Sequence, residues 1–407
     1  MYSQNFKTYL LSTENPNIGI GGKNTHLLLL ERGFQHIGLQ YLTIYPSEVL
    51  FSNDSPIKQF KRMIKYKDRA ALLSPIFRHI YALYDSITPE IQKISTPPTV
   101  IFHCHDVLTL SMVNRYFPMQ QCVKILTVHG YYTQEIIDDS LLEKSIAIKK
   151  YYNSCMNIEK DAVYASDHII AVDSRIKDYL INKFSYKPSN ISIFQNATDT
   201  DTFCPVTYDL KKKLRYKYAH KNDDIIIFVP RRLVPKNGVE YAIKAIQMIK
   251  QPYVKLVIAG DGLLRKELEG ISNGDDRIIF LGEVPHNQIV DYYQLSDIIL
   301  VPSITSNDIQ EATSLSMLEG MACGKTVICS DIGGMQEVLK NSKAGFLVPE
   351  KNPESIANII QDIILNPELE KYGKIARSYV MEHHSYISYA KRLEDLYHST
   401  MKTKGLL

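Results

Sequence analysis

Asn307 to Glu337 reads NDIQEATSLSMLEGMACGKTVICSDIGGMQE. Glu311 and Glu319 stand eight residues apart, with the small polar run Ala312-Thr313-Ser314 and then Leu315, Met317, Leu318 and Met321 around them. That pattern predicts a loop entering a helix between Ser314 and Ser316. Gly324 ends the helix, because glycine takes the left-handed conformation without steric cost. Thr326 to Cys329 is a buried strand, and Asp331-Ile332-Gly333-Gly334 is the turn after it. The free backbone N–H groups and dipole at the start of such a helix favour an anion such as a phosphate. Glu311 falls outside the helix and Glu319 about a turn inside it. Ionised carboxylates only accept hydrogen bonds, so a pair flanking an anion site suits a polyol attached to a phosphate. A nucleotide sugar has that chemistry.

The rest of the chain is expected to build a wall opposite this stretch. Its 407 residues exceed what one hydrophobic core supports, which implies two domains of roughly 150–200 residues each. A formal charge of +3 gives no argument for nucleic acid. Cys104, Cys122, Cys155, Cys204, Cys323 and Cys329 are scattered without CxxC spacing, which favours free thiols in a reducing cytoplasm over disulfides or a structural zinc. The N-terminus lacks the apolar core and cleavage pattern of a signal peptide, and nowhere do about 18 apolar residues run uninterrupted.

Thr8 to Leu11 is the first predicted strand. A turn-rich loop through Gly19-Ile20-Gly21-Gly22 follows, then a helix from Lys23 to Arg32 ending at Gly33. Strand, glycine loop and helix open a doubly wound α/β domain. Leu39 to Ile44 is the next strand. From Pro56 to Tyr84, Lys58, Lys61, Arg62, Lys65, Lys67, Arg69 and Arg78 outnumber the lone Asp68. Residues 57–78 therefore read either as a basic amphipathic helix on an anionic membrane surface or as a solvated helix packed on the domain.

Thr99 to Phe102 is a strand ending in His103-Cys104-His105-Asp106. The cluster suits zinc by residue type, but no second ligand group stands at matching spacing, and alternation puts His103 and His105 on one face. Lys124 to Val128 delivers His129-Gly130 to the same C-terminal sheet edge, where ligands of such sheets bind, with Glu135 as a polar partner. Helices are expected over Leu141 to Asp161 and Ser174 to Phe184, and a strand over His168 to Val172. Asp199-Thr200-Asp201 resembles a metal-holding acidic motif, yet Asx turns explain it.

A charged linker, Lys211 to Lys221, leads to a second unit near Asp223. Ile225 to Val229 is a strand ending in Arg231-Arg232-Leu233-Val234-Pro235-Lys236-Asn237-Gly238, whose cations could neutralise a diphosphate. Strand and helix then alternate through Ala259-Gly260-Asp261-Gly262 and Gly282-Glu283-Val284-Pro285 to the opening stretch. Helices over Pro353 to Leu365 and Tyr386 to Tyr397 end the chain.

In order, Gly21-Gly22, Thr127-Val128-His129-Gly130, Asn196 with Asp199 and Phe203, Arg232-Leu233, Ala259 to Gly262, Glu311-x7-Glu319, Gly320 to Ile328, Asp331 to Gly334 and Glu337 resemble glycosyltransferase family 4. The resemblance implies the GT-B fold: α/β, two Rossmann-like doubly wound domains facing across a cleft. It places an acceptor domain at residues 1–205, a nucleotide-sugar domain at 206–385 and a C-terminal helix at 386–407 that crosses back to the first domain. It implies a cytoplasmic enzyme, peripheral on the inner membrane face, moving a hexose-type sugar with retention of configuration from a UDP-, GDP- or ADP-linked donor to a hydroxyl of a glycolipid, polysaccharide or small molecule. No cofactor and no metal ion are implied.

By resemblance, Glu319 would hold ribose hydroxyls, Glu311 those of the sugar, and the backbone near Ser314 and Leu315 the phosphates. Arg232 would neutralise the leaving diphosphate, Val284 contact the base, Gly22 approach the diphosphate and His129 sit beside the sugar. Two departures stand out: Asn237 occupies a position where the family usually has a lysine, with Lys236 one residue earlier, and Ala312-Thr313-Ser314 replaces a glycine- and aromatic-containing loop. A nucleotide-sugar epimerase, a phosphorolytic enzyme and a non-catalytic sugar-binding module are the alternatives on the same fold.

Overall fold

The computed structural model describes residues 6–18, 22–46, 61, 64, 75–94, 99–117, 122–134, 147–306, 310–365 and 368–406. They form two compact units, Met1–Phe194 with Ala390–Leu407, and Gln195–Tyr389. Gly21, Glu135 and most of the basic stretch 57–78 lie outside the described residues.

The first unit holds β1 (Lys7–Leu11), β2 (Tyr41–Ile44), β3 (Val100–Cys104), β4 (Cys122–Val128), β5 (His168–Ala171) and β6 (Ile191–Ile193). They form one sheet in the order β2-β1-β3-β4-β5-β6 with every pair parallel. All residues of β3 and β4 are buried, as expected of strands covered by helices on both faces. The covering helices are α1 (Gly22–Ile37), α2 (Pro75–Gln92), α3 (Val107–Tyr116), α4 (Ala147–Ala165) and α5 (Ser174–Phe184). Helix α1 runs past Gly33, where the sequence suggested its end. Gly33 is buried inside the helix and Phe34 is wholly buried, so core packing carries the chain another turn. The left-handed residue is Gly38, at φ +74.

The second unit begins with α6 (Tyr208–Lys217) and continues through β7 (Ile225–Pro230), α7 (Val239–Met248), β8 (Val254–Ala259), α8 (Arg265–Ser272), β9 (Ile278–Gly282), α9 (His286–Leu295) and β10 (Ile298–Val301). Then come α10 (Leu315–Ala322), β11 (Thr326–Ser330), α11 (Gly333–Ser342), β12 (Gly345–Val348), α12 (Pro353–Leu365) and α13 (Leu369–His383), and the last helix, α14 (Tyr386–Thr403), belongs to the first unit from Ala390 onward. The sheet order is β12-β11-β10-β7-β8-β9, again all parallel. Alternation divides its core in two. Ile226 and Phe228 of β7 and Ile299 and Val301 of β10 face one cluster, while Ile227, Val229, Ile298 and Leu300 face the other.

The expected linker Lys211 to Lys221 is mostly helix and belongs to this unit. Leu214 enters the core. Arg215 is buried, donating to Asp297 at 2.6 Å and to the carbonyls of Leu295 and Asp224 at 3.1 and 3.0 Å. Its density of lysines concealed one inward-facing stripe. All six cysteines are free thiols and five are buried.

Candidate active site

Both sheets have a point where strand order reverses, between β1 and β3 and between β7 and β10. Ligands of doubly wound sheets bind outside the strand C-termini at such points.

In the second unit, β7 ends at Pro230 and puts Arg231 at that point. Arg231 Nη1 donates to Glu311 Oε1 at 2.8 Å and Nη2 pairs with Glu311 Oε2, a bidentate ion pair. Nη2 also donates to Asn237 Oδ1 at 2.6 Å and Ser303 Oγ at 2.8 Å, and Nη1 to Ser314 Oγ at 3.3 Å. Ser303, just beyond β10, gives its own proton to Glu311. Asn237 is buried and oriented, because its Nδ2 donates to the Arg232 carbonyl at 2.7 Å. Burial opposes ionisation of Glu311, but the Arg231 guanidinium and the Ser303 and Ser314 hydroxyls outweigh it and hold the carboxyl below its ordinary range.

Helix α10 starts beside this pair. Ser314 is its N-cap residue and makes no side-chain capping bond, so its own hydroxyl does not close off the first-turn N–H groups. Ser316 Oγ donates to the Pro230 carbonyl at 3.0 Å and pins the first turn to the end of β7. Gly324, at φ +67, ends the helix as the sequence suggested. Gly333 and Gly334, expected in a turn, instead start α11. Gly334 N–H donates to the Glu311 carbonyl at 3.3 Å, and a Cβ there would lie 2.7 Å from the Thr313 nitrogen. No side chain fits between α11 and the loop that carries Glu311.

Glu319 sits one turn into α10 and accepts from the buried Tyr293 hydroxyl at 2.6 Å. Burial raises its pKa to about 7, against the Tyr293 hydrogen bond, and Asp199 adds to the rise. Asp199 itself accepts from the backbone nitrogens of Asp201 and Thr202 at 3.1 Å, an Asx turn. Arg232 and Lys236 are exposed, Leu315 is half-buried, and Val284 packs half-buried on the core.

In the first unit, Asp106 caps α3 by accepting from Thr109 N–H at 2.9 Å. It also accepts from Thr13 N–H at 2.8 Å and Lys23 Nζ at 3.1 Å. Gly22 opens α1, with nothing within 4 Å of where a Cβ would be. His103 is committed on both nitrogens, to the Tyr397 hydroxyl and to Thr127 Oγ1, each at 2.7 Å. His105 Nδ1 lies 3.4 Å from His129 Nε2, and His26 joins them. Among the described residues, these three form the group whose ligand atoms lie within 4.8 Å of one another.

The fold thus supplies the neighbours that linear spacing around His105 lacked. Burial keeps all three imidazoles neutral, lowering His26 to about 4 and His105 and His129 well below the ordinary value. The neighbouring histidines depress His105 and His129 further, and Lys23, itself paired with Asp106 and Glu14, adds to the shift. An open cavity of about 710 Å³ in this unit, bounded by Arg115, Lys124, Asp167 and Lys404 among others, lies at the N-terminal ends of β4 and β5. Lys404 and Asp167 there pair at 2.8 Å, and the cavity is remote from the switch point.

Arg231 is the residue that motif reading passed over. The signal was present: in a doublet at a strand end, alternation turns one side chain inward and the other to solvent. Tyr293 and Ser303 carry no such signal.

Two parallel six-stranded units with helices on both faces are the GT-B architecture, and the chain matches two family models: Glycosyltransferase Family 4 over residues 20–202 and Glycosyl transferases group 1 over residues 211–379. This is a glycosyltransferase. It belongs to glycosyltransferase family 4. A galactosyltransferase of Escherichia coli, UDP-Gal:alpha-D-GlcNAc-diphosphoundecaprenol alpha-1,3-galactosyltransferase, is 24% identical over 92% of this chain and 95% of that protein. An uncharacterised glycosyltransferase of Methanocaldococcus jannaschii is 27% identical over 75% of this chain and 76% of the relative. Among solved structures, Anabaena HepE in complex with UDP matches with a TM-score of 0.70, 16% identity and coverage of 97% and 100% of the two chains.

Proposed function

We propose that this chain transfers a hexose-type sugar, with retention of anomeric configuration, from a nucleotide sugar to an acceptor hydroxyl. The observation that carries the reading is the arrangement around the start of α10: an uncapped helix N-terminus, a carboxylate on a buried arginine outside it, and a second carboxylate one turn inside. The helix terminus suits the diphosphate. Glu311, kept ionised, suits the sugar hydroxyls, and Glu319 suits the ribose. The exposed Arg232 and Lys236 are free to swing onto the phosphates, and the Val284 backbone is assigned to the base. Asn237 acts through its Oδ1, which accepts from Arg231 and orients it. The neutral imidazole of His129 takes a sugar hydroxyl as partner, and the Gly22 backbone a phosphate oxygen.

Charge builds on the departing diphosphate, so fixed donors aimed at it lower the barrier, and no covalent nucleophile is required. The donors are protein groups, so the reaction runs without a metal ion. A UDP-linked donor is favoured first, because the galactosyltransferase relative uses UDP-Gal and the Anabaena neighbour holds UDP. The same relative's diphosphoundecaprenol acceptor favours a lipid-linked sugar as acceptor, presented at the inner membrane face.

Incubation with UDP-, GDP- and ADP-sugars and lipid-linked or free acceptors, followed by nucleoside diphosphate release, tests the reading. Release with one donor and its loss in Glu319→Ala are expected, with the rate unchanged by EDTA. Silence with every pair, with Glu319→Ala folding normally, would reject transfer. A rate lost on chelation and restored by zinc or manganese would reject metal independence and turn attention to His26, His105 and His129.

A further inference from the structure

We propose that Arg231 is a phosphate-binding residue, the inner cation of the diphosphate site, and that its guanidinium fills the space an amine at position 237 would occupy. The proposal rests on the transferase reading above and names a residue which that reading leaves out.

Four observations converge on it. The Arg231 side chain is only 10% exposed, and residues from four separate places in the second unit, Asn237, Ser303, Glu311 and Ser314, hold its guanidinium. One of those holders is the N-cap of α10, so cation and helix terminus meet at one point. The guanidinium is not saturated: its Nε is buried with no hydrogen-bond partner among the described residues. Finally, its four Nη hydrogens face five acceptors, namely Asn237 Oδ1, Ser303 Oγ, Ser314 Oγ and both Glu311 oxygens. An incoming phosphate oxygen can therefore take one donor and displace only a hydroxyl, which keeps its own rotor to satisfy elsewhere.

The assignment of Glu311 in the proposed function also says which phosphate. Glu311 is assigned to the transferred sugar, and Arg231 is paired with Glu311, so the guanidinium belongs beside the phosphate bonded to that sugar, the distal one. A residue that merely braced Glu311 would affect sugar binding alone. A phosphate-binding one distinguishes a nucleoside diphosphate from the monophosphate. Asn237 Oδ1 lies 2.6 Å from Nη2, so a lysine there and the arginine would compete for one place.

The test is calorimetric titration of the full chain with UDP, GDP and ADP and the matching monophosphates. The variants are Arg231→Ala, Arg231→Lys, Asn237→Lys and the double Arg231→Ala/Asn237→Lys, each checked by thermal melting. Arg231→Ala is expected to weaken the preferred diphosphate about 10- to 100-fold, the scale of a charge-assisted hydrogen bond, and the monophosphate less than about 3-fold. The double variant regains most of the loss, whereas Asn237→Lys alone gains nothing. Should Arg231→Ala melt below the assay temperature, Arg231→Lys takes its place, with a drop of about 3- to 10-fold confined to the diphosphate. Equal effects on both ligands, no effect, or no recovery in a folded double variant would overturn the role of Arg231 and leave the transferase reading standing. Failure of the wild type to bind any nucleoside diphosphate would overturn both.

Discussion

Glu311 and Glu319 are both half-buried, and their surroundings drive them apart. Arg231 keeps Glu311 ionised, while Glu319 has a tyrosine hydroxyl and no cation to offset burial, and its pKa rises to about 7. The folded protein therefore retains the Glu319 proton up to about pH 7, whereas an unfolded chain releases it near the ordinary 4.5. Stability from this group is complete below 4.5 and is lost as pH rises towards 7. Glu319→Gln, neutral throughout, should melt higher than wild type at pH 8 and close to it near pH 4.5. The donor KM of the wild type should fall from pH 6 to 8 as the carboxylate forms, and the variant should show no such trend. Parallel melting curves at both pH values would contradict the assignment. Asn237→Lys alone forces an ammonium against the Arg231 guanidinium and should cost about 1–3 kcal/mol of stability, read by denaturant unfolding. The positions of both glutamates were legible in the sequence. Their divergence was not, because it depends on Arg231 and Tyr293, which lie far from them along the chain.

At the scale of elements, α10 and the loop before it hold the site, and α11 holds the loop. Gly334→Ala brings a methyl group against the Thr313 backbone nitrogen, and backbone cannot rotate away as a side chain can. The expected cost is about 1–3 kcal/mol, seen as a lower melting temperature, together with a raised donor KM. A variant with unchanged stability and KM would show that the loop adapts freely. Elements with their own termini were readable: Ser174–Phe184 came out residue for residue because Asp173 caps it at the N-terminus. Where packing overrode local signals the reading failed. Gly33 did not stop α1 because Phe34 beyond it is buried, and α6 passed for a linker because its one buried arginine looks like its exposed neighbours.

For the whole molecule, alternating buried strands and helices declared two parallel α/β units, and ordered motifs at their strand ends declared the family. Sheet order was beyond the sequence, since identical strand patterns fit several orders; the structure puts the reversal at β1/β3 and β7/β10. Tyr397, in the part of the last helix that belongs to the first unit, bonds His103 of the same unit, a pairing 294 residues apart that no local pattern encodes. No helix among the described residues is long and apolar enough to cross a membrane. Membrane contact through the basic stretch 57–78 stands on sequence alone. It predicts that the chain floats with anionic liposomes and that reversing the charges of Lys61, Arg62 and Lys65 reduces recovery. Equal recovery of both proteins would remove it.

A crystal structure of the chain with its nucleotide sugar bound would show where the diphosphate sits. The diphosphate is expected at the N-terminus of α10, within hydrogen-bond distance of the Ser314 and Leu315 backbone nitrogens and of the Arg231 guanidinium, with Glu319 on the ribose and Glu311 on the sugar. A nucleotide seated elsewhere, or a diphosphate held by a metal ion in place of these groups, would contradict it.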